Sequence, residues 1–255
     1  MYNFVLTPND GFLNSNLPLM NDVELKLSFD RLGAESAFIS NTEEPKNSLD
    51  GKVCEISNCF ATCEYVSSEA LRKIMTKIDT QPIIYNYDNY DVTLTTLSIN
   101  QTEYRLTNIK GGNNPSHIFV GIIPTSSLNG NFTTSSTHFT HSNIDRLNLT
   151  LNGKACNGYP MIDISESNGI EVLTKFYDTT NRFMNILAGG LTSDQFRSNL
   201  LFSHKFEAES SNEGWLGVEL ELSTPFTEPY TMVLWCIHSC ALSVDKFHQI
   251  EKLVL

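Results

Sequence analysis

The chain has 255 residues, of which 40% are hydrophobic and 18% charged, so it can bury a core and a wholly disordered protein is excluded. Lys and Arg total 17 against 29 Asp and Glu, and the formal net charge of −12 argues against a protein that coats duplex nucleic acid. The apolar runs are far shorter than the roughly 20 residues that cross a bilayer, and the N-terminus lacks a signal-peptide pattern. We therefore expect no membrane span, synthesis in the cytosol and reduced cysteines.

The predicted strands of the first half follow a two-residue period. Apolar and polar residues alternate over residues 23–29 (VELKLSF), which predicts a half-buried strand. Val92, Leu94, Leu97 and Ile99 belong to a Thr-rich predicted strand whose register slips at Thr95-Thr96, which we interpret as a bulge. Residues 118–123 are continuously apolar, which predicts a strand buried on both faces.

The second half repeats this pattern. Three leucines alternate over residues 147–151, and the run ends at Asn152-Gly153, a pair that tolerates positive φ and predicts a tight hairpin turn. The remaining predicted strands are residues 200–206, 216–222 and 230–237. The long polar segments 108–116 and 126–143 are predicted to be exposed loops.

Two helices interrupt the strands. Residues 68–79 have apolar residues at helical spacing, with Arg72, Lys73 and Lys77 assigned to the solvated face. A second helix is predicted over residues 169–188 and stops at a Gly-Gly pair. Because helices do not alternate regularly with strands, the pattern predicts an all-β fold, a sandwich or jelly roll of about eight strands with one or two inserted helices.

The sequence contains no recognisable catalytic motif. Glu219 and Glu221 share one strand face, as a hydrolytic pair would, but that face is opposite the apolar one and is expected to meet solvent or a partner. Phosphate-loop, dinucleotide-binding and nucleophile-elbow patterns are absent. We therefore predict no catalytic residue and no cofactor.

Possible metal ligands are also weakly patterned. Cysteines cluster at 54–63, and Cys236, His238 and Cys240 form C-x-H-x-C, but neither has the paired spacing of a zinc site. Two histidines of the segment 138–141 are interpreted as part of a solvated loop. Buried thiols and no bound metal are predicted, with a metal at these groups as the alternative.

Aromatic residues offer two further candidates. Tyr85, Tyr87 and Tyr90 cluster and could stack on a base or sugar, although the absence of nearby cations argues against nucleic acid. Trp215 and Trp235 are interpreted as packing residues of the core or sheet surface rather than ligand platforms.

The order of these segments resembles a known family. The segments that carry the resemblance are NDVELKLSFDR (21–31), LNGNF (128–132), LNLTLNG (147–153), LGVELEL (216–222) and the closing run 232–250. They are similar to the corresponding strands and turns of the major capsid protein of Maverick/Polinton elements and adintoviruses, in the double jelly-roll lineage. The resemblance covers most of the chain at low identity, and its motifs are strand and turn patterns.

The resemblance implies a structural role. It implies a capsid subunit that associates with itself, as a trimer or pseudo-hexameric capsomer, and with other capsid proteins, located in the virion after synthesis in the host cytoplasm, with the nucleus as an alternative assembly compartment. The family carries two jelly rolls in one longer chain, whereas residues 1–255 have room for a single domain that matches the C-terminal roll.

Two other function classes stay open. One is a virus-derived or cellular jelly-roll module that binds carbohydrate or a protein partner, for which the tyrosine cluster is the support. The other is an enzyme on a cupin-like sandwich, which needs a His/His/Glu set on facing strands. No such set can be assembled at suitable spacing from His117, His138, His141 and His204.

Overall fold

A computed structural model describes residues 67, 69, 72, 73, 76, 81–128, 139, 143–156, 162–163, 170–180, 200–206, 213–247 and 249–254. The chain divides into two compact units. The described part of the larger unit lies within residues 91–236, and that of the smaller unit within residues 67–90 and 237–254.

The described residues form two antiparallel sheets. The strands are β1 (Ile83–Leu97), β2 (Glu103–Asn113), β3 (His117–Pro124), β4 (Ile144–Leu151), β5 (Lys154–Ala155), β6 (Ile162–Asp163), β7 (Leu201–Lys205), β8 (Glu213–Leu222), β9 (Tyr230–Val244) and β10 (Ile250–Val254). The helices are α1 (Thr125–Leu128) and α2 (Ile170–Thr180). The first sheet has the order β1-β9-β3-β7 with β10 on β9, and the second has β2-β8-β4-β5 with β6 on β4.

The strand order identifies the fold. When the eight strands other than β6 and β10 are numbered in chain order, the sheets read 1-8-3-6 and 2-7-4-5. That is the order of a jelly roll, in which two Greek keys wrap two four-stranded sheets around one core. The prediction of an all-β jelly-roll sandwich is confirmed.

Alternating leucines of β4 and β8 supply one side of the core. Leu147 pairs with Leu220 and Leu149 with Val218, and all four side chains are buried. The first sheet contributes apolar residues that include Ile118, Val120, Phe202, Met232 and Leu234. Each fully buried side chain of this kind contributes about 1.5–3 kcal/mol relative to its exposed state, so the predicted alternation stabilises the packing of the two sheets.

The predicted turn after β4 is present. Asn152 has φ 54° and Gly153 has φ 75°, so both central residues occupy the left-handed region. Two such residues form a type I′ turn, whose twist matches that of the flanking strands. The turn directs the chain from β4 into β5, where Thr150 pairs with Ala155.

The predicted register slip at Thr95-Thr96 is wrong. Val92 and Leu94 are about half exposed, whereas Leu97 is buried and Thr93 and Thr95 are half-buried. Exposure alternates from 91 to 97 without the predicted slip. The half-buried positions of this alternation begin at Asp91, whose carboxylate accepts a hydrogen bond from Lys110 of β2. This ion pair between the sheets allows a charged residue to face inward.

Residues 108–113 are not the predicted loop, because β2 extends to Asn113, whereas residues 114–116 lie between β2 and β3 as predicted. The pairing of β2 with β8 passes from Leu106 opposite Val218 to Lys110 opposite Leu216, so three residues of β2 face one residue of β8. Asn108 in this bulge has φ 56°. The bulge breaks the two-residue period and hides the strand from pattern analysis.

Helix α2 packs against β7, the last strand in the order of the first sheet. Val172 of α2 is fully buried, and the ring of Phe176 meets Phe119 of β3 edge-on at 6.4 Å between centroids. The predicted helix 169–188 is confirmed over Ile170–Thr180, and its remainder lies outside the described residues.

Other predictions fall partly or wholly outside the described residues. The predicted strand 23–29 lies outside them entirely. Within the predicted helix 68–79, the described positions 69, 72, 73 and 76 are helical and exposed, which confirms the solvated face assigned to Arg72 and Lys73.

In the smaller unit, the end of β9 forms a hairpin with β10. Val244 pairs with Ile250, and the Asp245 carboxylate accepts from the backbone N–H groups of Phe247 and Gln249. Phe247 is exposed at the tip of this turn. The side chain of Asp245 thus fixes the loop conformation locally.

Candidate functional site

The outer face of the second sheet carries the two acidic residues singled out in the sequence. Strand alternation turns the leucines of β8 inward and Glu219 and Glu221 outward, as predicted. Glu219 lies opposite Arg105 on β2 and Asn148 on β4. Glu221 lies opposite Glu103 on β2 and Arg146 on β4.

Both carboxylates are engaged by neighbouring side chains. Asn148 Nδ2 donates to Glu219 Oε2 at 2.9 Å, and Arg146 Nη1 lies 3.5 Å from Glu221 Oε2. A hydrolytic pair requires one proton donor and one free carboxylate facing a shared cavity. Glu219 and Glu221 are instead held by amide and guanidinium groups on a sheet surface. We therefore interpret this surface as a polar face and not as a hydrolytic site.

Trp215 is the most exposed large apolar residue of this sheet among the described side chains, at 55%. It lies opposite Gly111 on β2. A Cβ built on Gly111 would lie 2.3, 2.6 and 2.8 Å from three consecutive carbons of the indole six-membered ring. The sequence interpretation of Trp215 as a packing residue is therefore correct for one ring face only.

Asn152 fixes the backbone of Trp215 from the adjacent hairpin. The Trp215 N–H donates to Asn152 Oδ1 at 2.8 Å, and the Asn152 N–H donates to the Trp215 carbonyl at 2.8 Å. The left-handed conformation of Asn152 that makes the turn also places its side chain for this contact. The sequence signal was the Asn-Gly pair, which gave the turn but not its link to the tryptophan.

The other tryptophan packs as predicted. The ring of Trp235 meets Phe139 edge-on at 5.3 Å between centroids, and Phe139 also covers Gly121, where an added Cβ would lie 2.5 Å from the ring. Trp235 is half-buried. It consequently offers less free ring surface than Trp215.

The tyrosine cluster does not form a common platform. Tyr85 and Tyr87 are two residues apart on β1, whereas Tyr90 falls on the opposite face by strand alternation. Tyr85 is buried, and burial raises the pKa of its hydroxyl, while Tyr90 is exposed. A flat ligand could not contact all three rings.

The described cysteines are buried, and the described histidines range from buried to half-buried. Cys156, Cys236 and Cys240 are buried free thiols, as predicted for the last two, and burial raises the pKa of Cys156 and of Cys236 to about 11.

His117 is buried with Nδ1 3.0 Å from Ser116 Oγ. In the described ranges, no three His, Cys, Asp or Glu residues are grouped to hold a metal ion. His138, His141 and the cysteines at 54–63 lie outside those ranges.

Of the two segments predicted to be exposed loops, 126–143 lies mainly outside the described residues, apart from the end of α1 and positions 139 and 143. No helix in the described part of the chain has the length and apolar character needed to span a membrane.

Comparison with known proteins gave structural similarities alone. No protein-family model matches the chain, and no curated protein sequence matches it. The major capsid protein of mavirus matches with 10% identity and a TM-score of 0.40, over 68% of this chain and 42% of the other. PBCV-1 VP54, fitted into a reconstruction of the virophage Sputnik, matches with 10% identity and a TM-score of 0.46, over 75% and 55%. A chain of the Sputnik virophage structure matches with 12% identity and a TM-score of 0.40, over 68% and 39%. The chain thus spans about 39–55% of the length of these structures.

Proposed function

We propose that this protein is a structural, capsid-type jelly-roll subunit that assembles with copies of itself and with other capsid proteins. The observation that carries the proposal is the strand order β1-β9-β3-β7 and β2-β8-β4-β5, which is that of a jelly roll. The resemblance of five sequence segments to the Maverick/Polinton capsid protein supports the same role. The engaged carboxylates of Glu219 and Glu221 support a function without catalysis.

The finer proposal concerns stoichiometry. We propose that residues 1–255 act as one jelly-roll domain equivalent to the C-terminal roll of the double jelly-roll proteins. A trimer of a double jelly-roll protein contains six barrels. A single-roll protein acting alone therefore requires six copies to form an equivalent capsomer. If it pairs with a second single-roll protein, three copies of each protein are required. Its place would be the virion, and nucleic acid and membranes would not be direct partners.

The second sheet suggests how the copies would meet. β2 stands at the end of the strand order, carries the exposed residues Glu103 and Arg105, and contains the bulge at Asn108. Bulges and charges at a terminal strand oppose the addition of a further strand. Contacts at β2 would therefore be made by side chains and adjacent loops over an interface of at least about 1,200 Å².

Sedimentation velocity of the purified full chain over a concentration series tests the proposal. We expect discrete oligomers of three or six copies, because closed symmetry limits the growth of a capsomer. A chain that stays monomeric at every concentration and salt level would overturn it. Arg105→Glu, on β2, should weaken the oligomer, with Arg72→Glu on the exposed helical segment as the control carrying the same charge change.

A further inference from the structure

The orientation of the Trp215 ring is set by its neighbour on β2. A Cβ added to Gly111 would lie 2.3 Å from one ring carbon and 2.6 and 2.8 Å from the two carbons bonded to it. If this Cβ lay in the ring plane, the two longer distances would exceed the shortest one by much more. The near-equality of these distances places the glycine beneath the ring face. One face of the indole therefore lies on the backbone of β2, and the opposite face is turned to solvent.

This platform is held rigidly before any ligand arrives. The backbone of Trp215 is paired with β2 at Gly111 and bonded twice to Asn152 in the type I′ turn. A ring whose backbone is held in this way, and whose one face already lies on Gly111, has few alternative positions to lose on binding, which favours affinity. The platform is thus defined by Trp215, Gly111 and Asn152.

The surroundings of the platform are polar. Among the described side chains of the second sheet, no other large apolar residue is exposed. The hairpin that bonds to Trp215 presents the exposed residues Asn152 and Lys154. Anchors of protein interfaces usually sit within packed apolar pockets, so a single flat aromatic ring bordered by polar groups fits a different ligand.

We propose that Trp215 forms a binding site for a neutral sugar, with the free indole face stacked on the C–H face of a pyranose ring. The negative face of an aromatic ring attracts weakly positive C–H groups. Hydroxyl groups at the sugar rim would bond to the polar side chains of the β4–β5 hairpin. The net charge of −12 disfavours polyanionic glycans, so the site takes neutral hexoses. This site is independent of the proposed self-assembly.

Isothermal titration of the full chain with cellohexaose, maltohexaose and a linear mannan oligosaccharide tests the site, with a heparin hexasaccharide as the anionic probe. We expect at least one neutral probe to bind and Trp215→Ala to weaken it by about tenfold or more, while Trp215→Phe keeps part of the affinity. Gly111→Ala retains the tryptophan but forces the ring to move, so it should also weaken binding. Phe247→Ala, which removes a more exposed aromatic residue elsewhere, should bind as the wild type does.

Several outcomes would overturn the site. These are a failure of all neutral probes to bind, preferential binding of heparin, or equal affinity of Trp215→Ala and wild type. Loss of self-association in Trp215→Ala without sugar binding would instead assign the ring to a contact between copies. Circular dichroism checks the fold of each variant, and if Trp215→Ala does not fold, Trp215→Phe and Gly111→Ala decide the question.

Discussion

His204 on β7 is an imidazole whose charge state is linked to stability. Its ring lies perpendicular to that of Phe206 with 4.7 Å between centroids. Burial, with a smaller contribution from the charge of Lys175 on α2, lowers the pKa of His204 from 6.5 to about 4. The folded protein therefore holds this ring neutral at a pH where the unfolded chain is already protonated.

The first prediction follows from that difference. The contribution of His204 to stability is complete above pH 6.5 and is lost as the pH falls towards 4, because only the unfolded state takes up a proton in that range. Urea denaturation should show a fall of about 1–2 kcal/mol, a range reduced for the partial exposure of the ring. Carboxylates titrate in the same range, so the difference between wild type and His204→Gln isolates the histidine. Parallel pH profiles for the two proteins would contradict the prediction.

Gly153 gives a second prediction at the same scale. It has φ 75° with open space around the position of an added Cβ, so a substitution there costs backbone strain alone. Gly153→Ala should lower the free energy of unfolding by about 1–2 kcal/mol, and Gly153→Asn should cost less because Asn tolerates this conformation. The measurement is the denaturation midpoint. An equal loss for both variants would show that the turn geometry is not the cause.

The sequence predicted the conformation and exposure of some single residues but not of others. Asn152-Gly153 was predictable because the chemistry of a tight turn is local. The exposure of Trp215 was not, because it depends on Gly111, more than 100 positions earlier, where an absent side chain leaves room for the ring. The tyrosines at 85–90 are close in sequence and suggested a common ligand platform, but strand alternation separates them onto opposite faces of β1.

At the scale of elements, the two-residue period located the strands with a regular pattern. β4 and β8 were predicted correctly because every second residue of their central parts is apolar. β2 was missed because its bulge shifts the period after Leu106. On β1 the predicted slip was wrong, because Asp91, paired with Lys110, lies on the half-buried face of a regular alternation that leaves Val92 and Leu94 exposed. Such a cross-sheet pair leaves no local signal.

A matched pair of substitutions tests the assignment of faces on β8. Leu220→Asp would place an unpaired charge against Leu147 and Tyr104 inside the core, so we expect it to prevent folding. The adjacent Glu221→Gln changes the outer face and should cost no more than about 1 kcal/mol. Circular dichroism and thermal melting distinguish them. A folded Leu220→Asp with a wild-type spectrum would mean that the register of β8 is misassigned.

At the scale of the whole molecule, charge should govern association. Copies of net charge −12 repel one another, and salt shortens the range of that repulsion to about 10 Å at 0.1 M. We expect sedimentation to show stronger self-association from low to moderate NaCl, and also on addition of divalent cations. A steady weakening over that range would contradict the charge argument. The variant Glu228→Lys with Glu251→Lys changes the net charge by +4, from −12 to −8, and should associate at lower salt.

The placement of β9 between β1 and β3 has a consequence for how the chain folds. Because β1, the first of the described strands, pairs with β9, segments that are far apart in the sequence must meet before the first sheet is complete. Such non-local pairing forms slowly, so we expect the first sheet to be completed only after β9 has been synthesised.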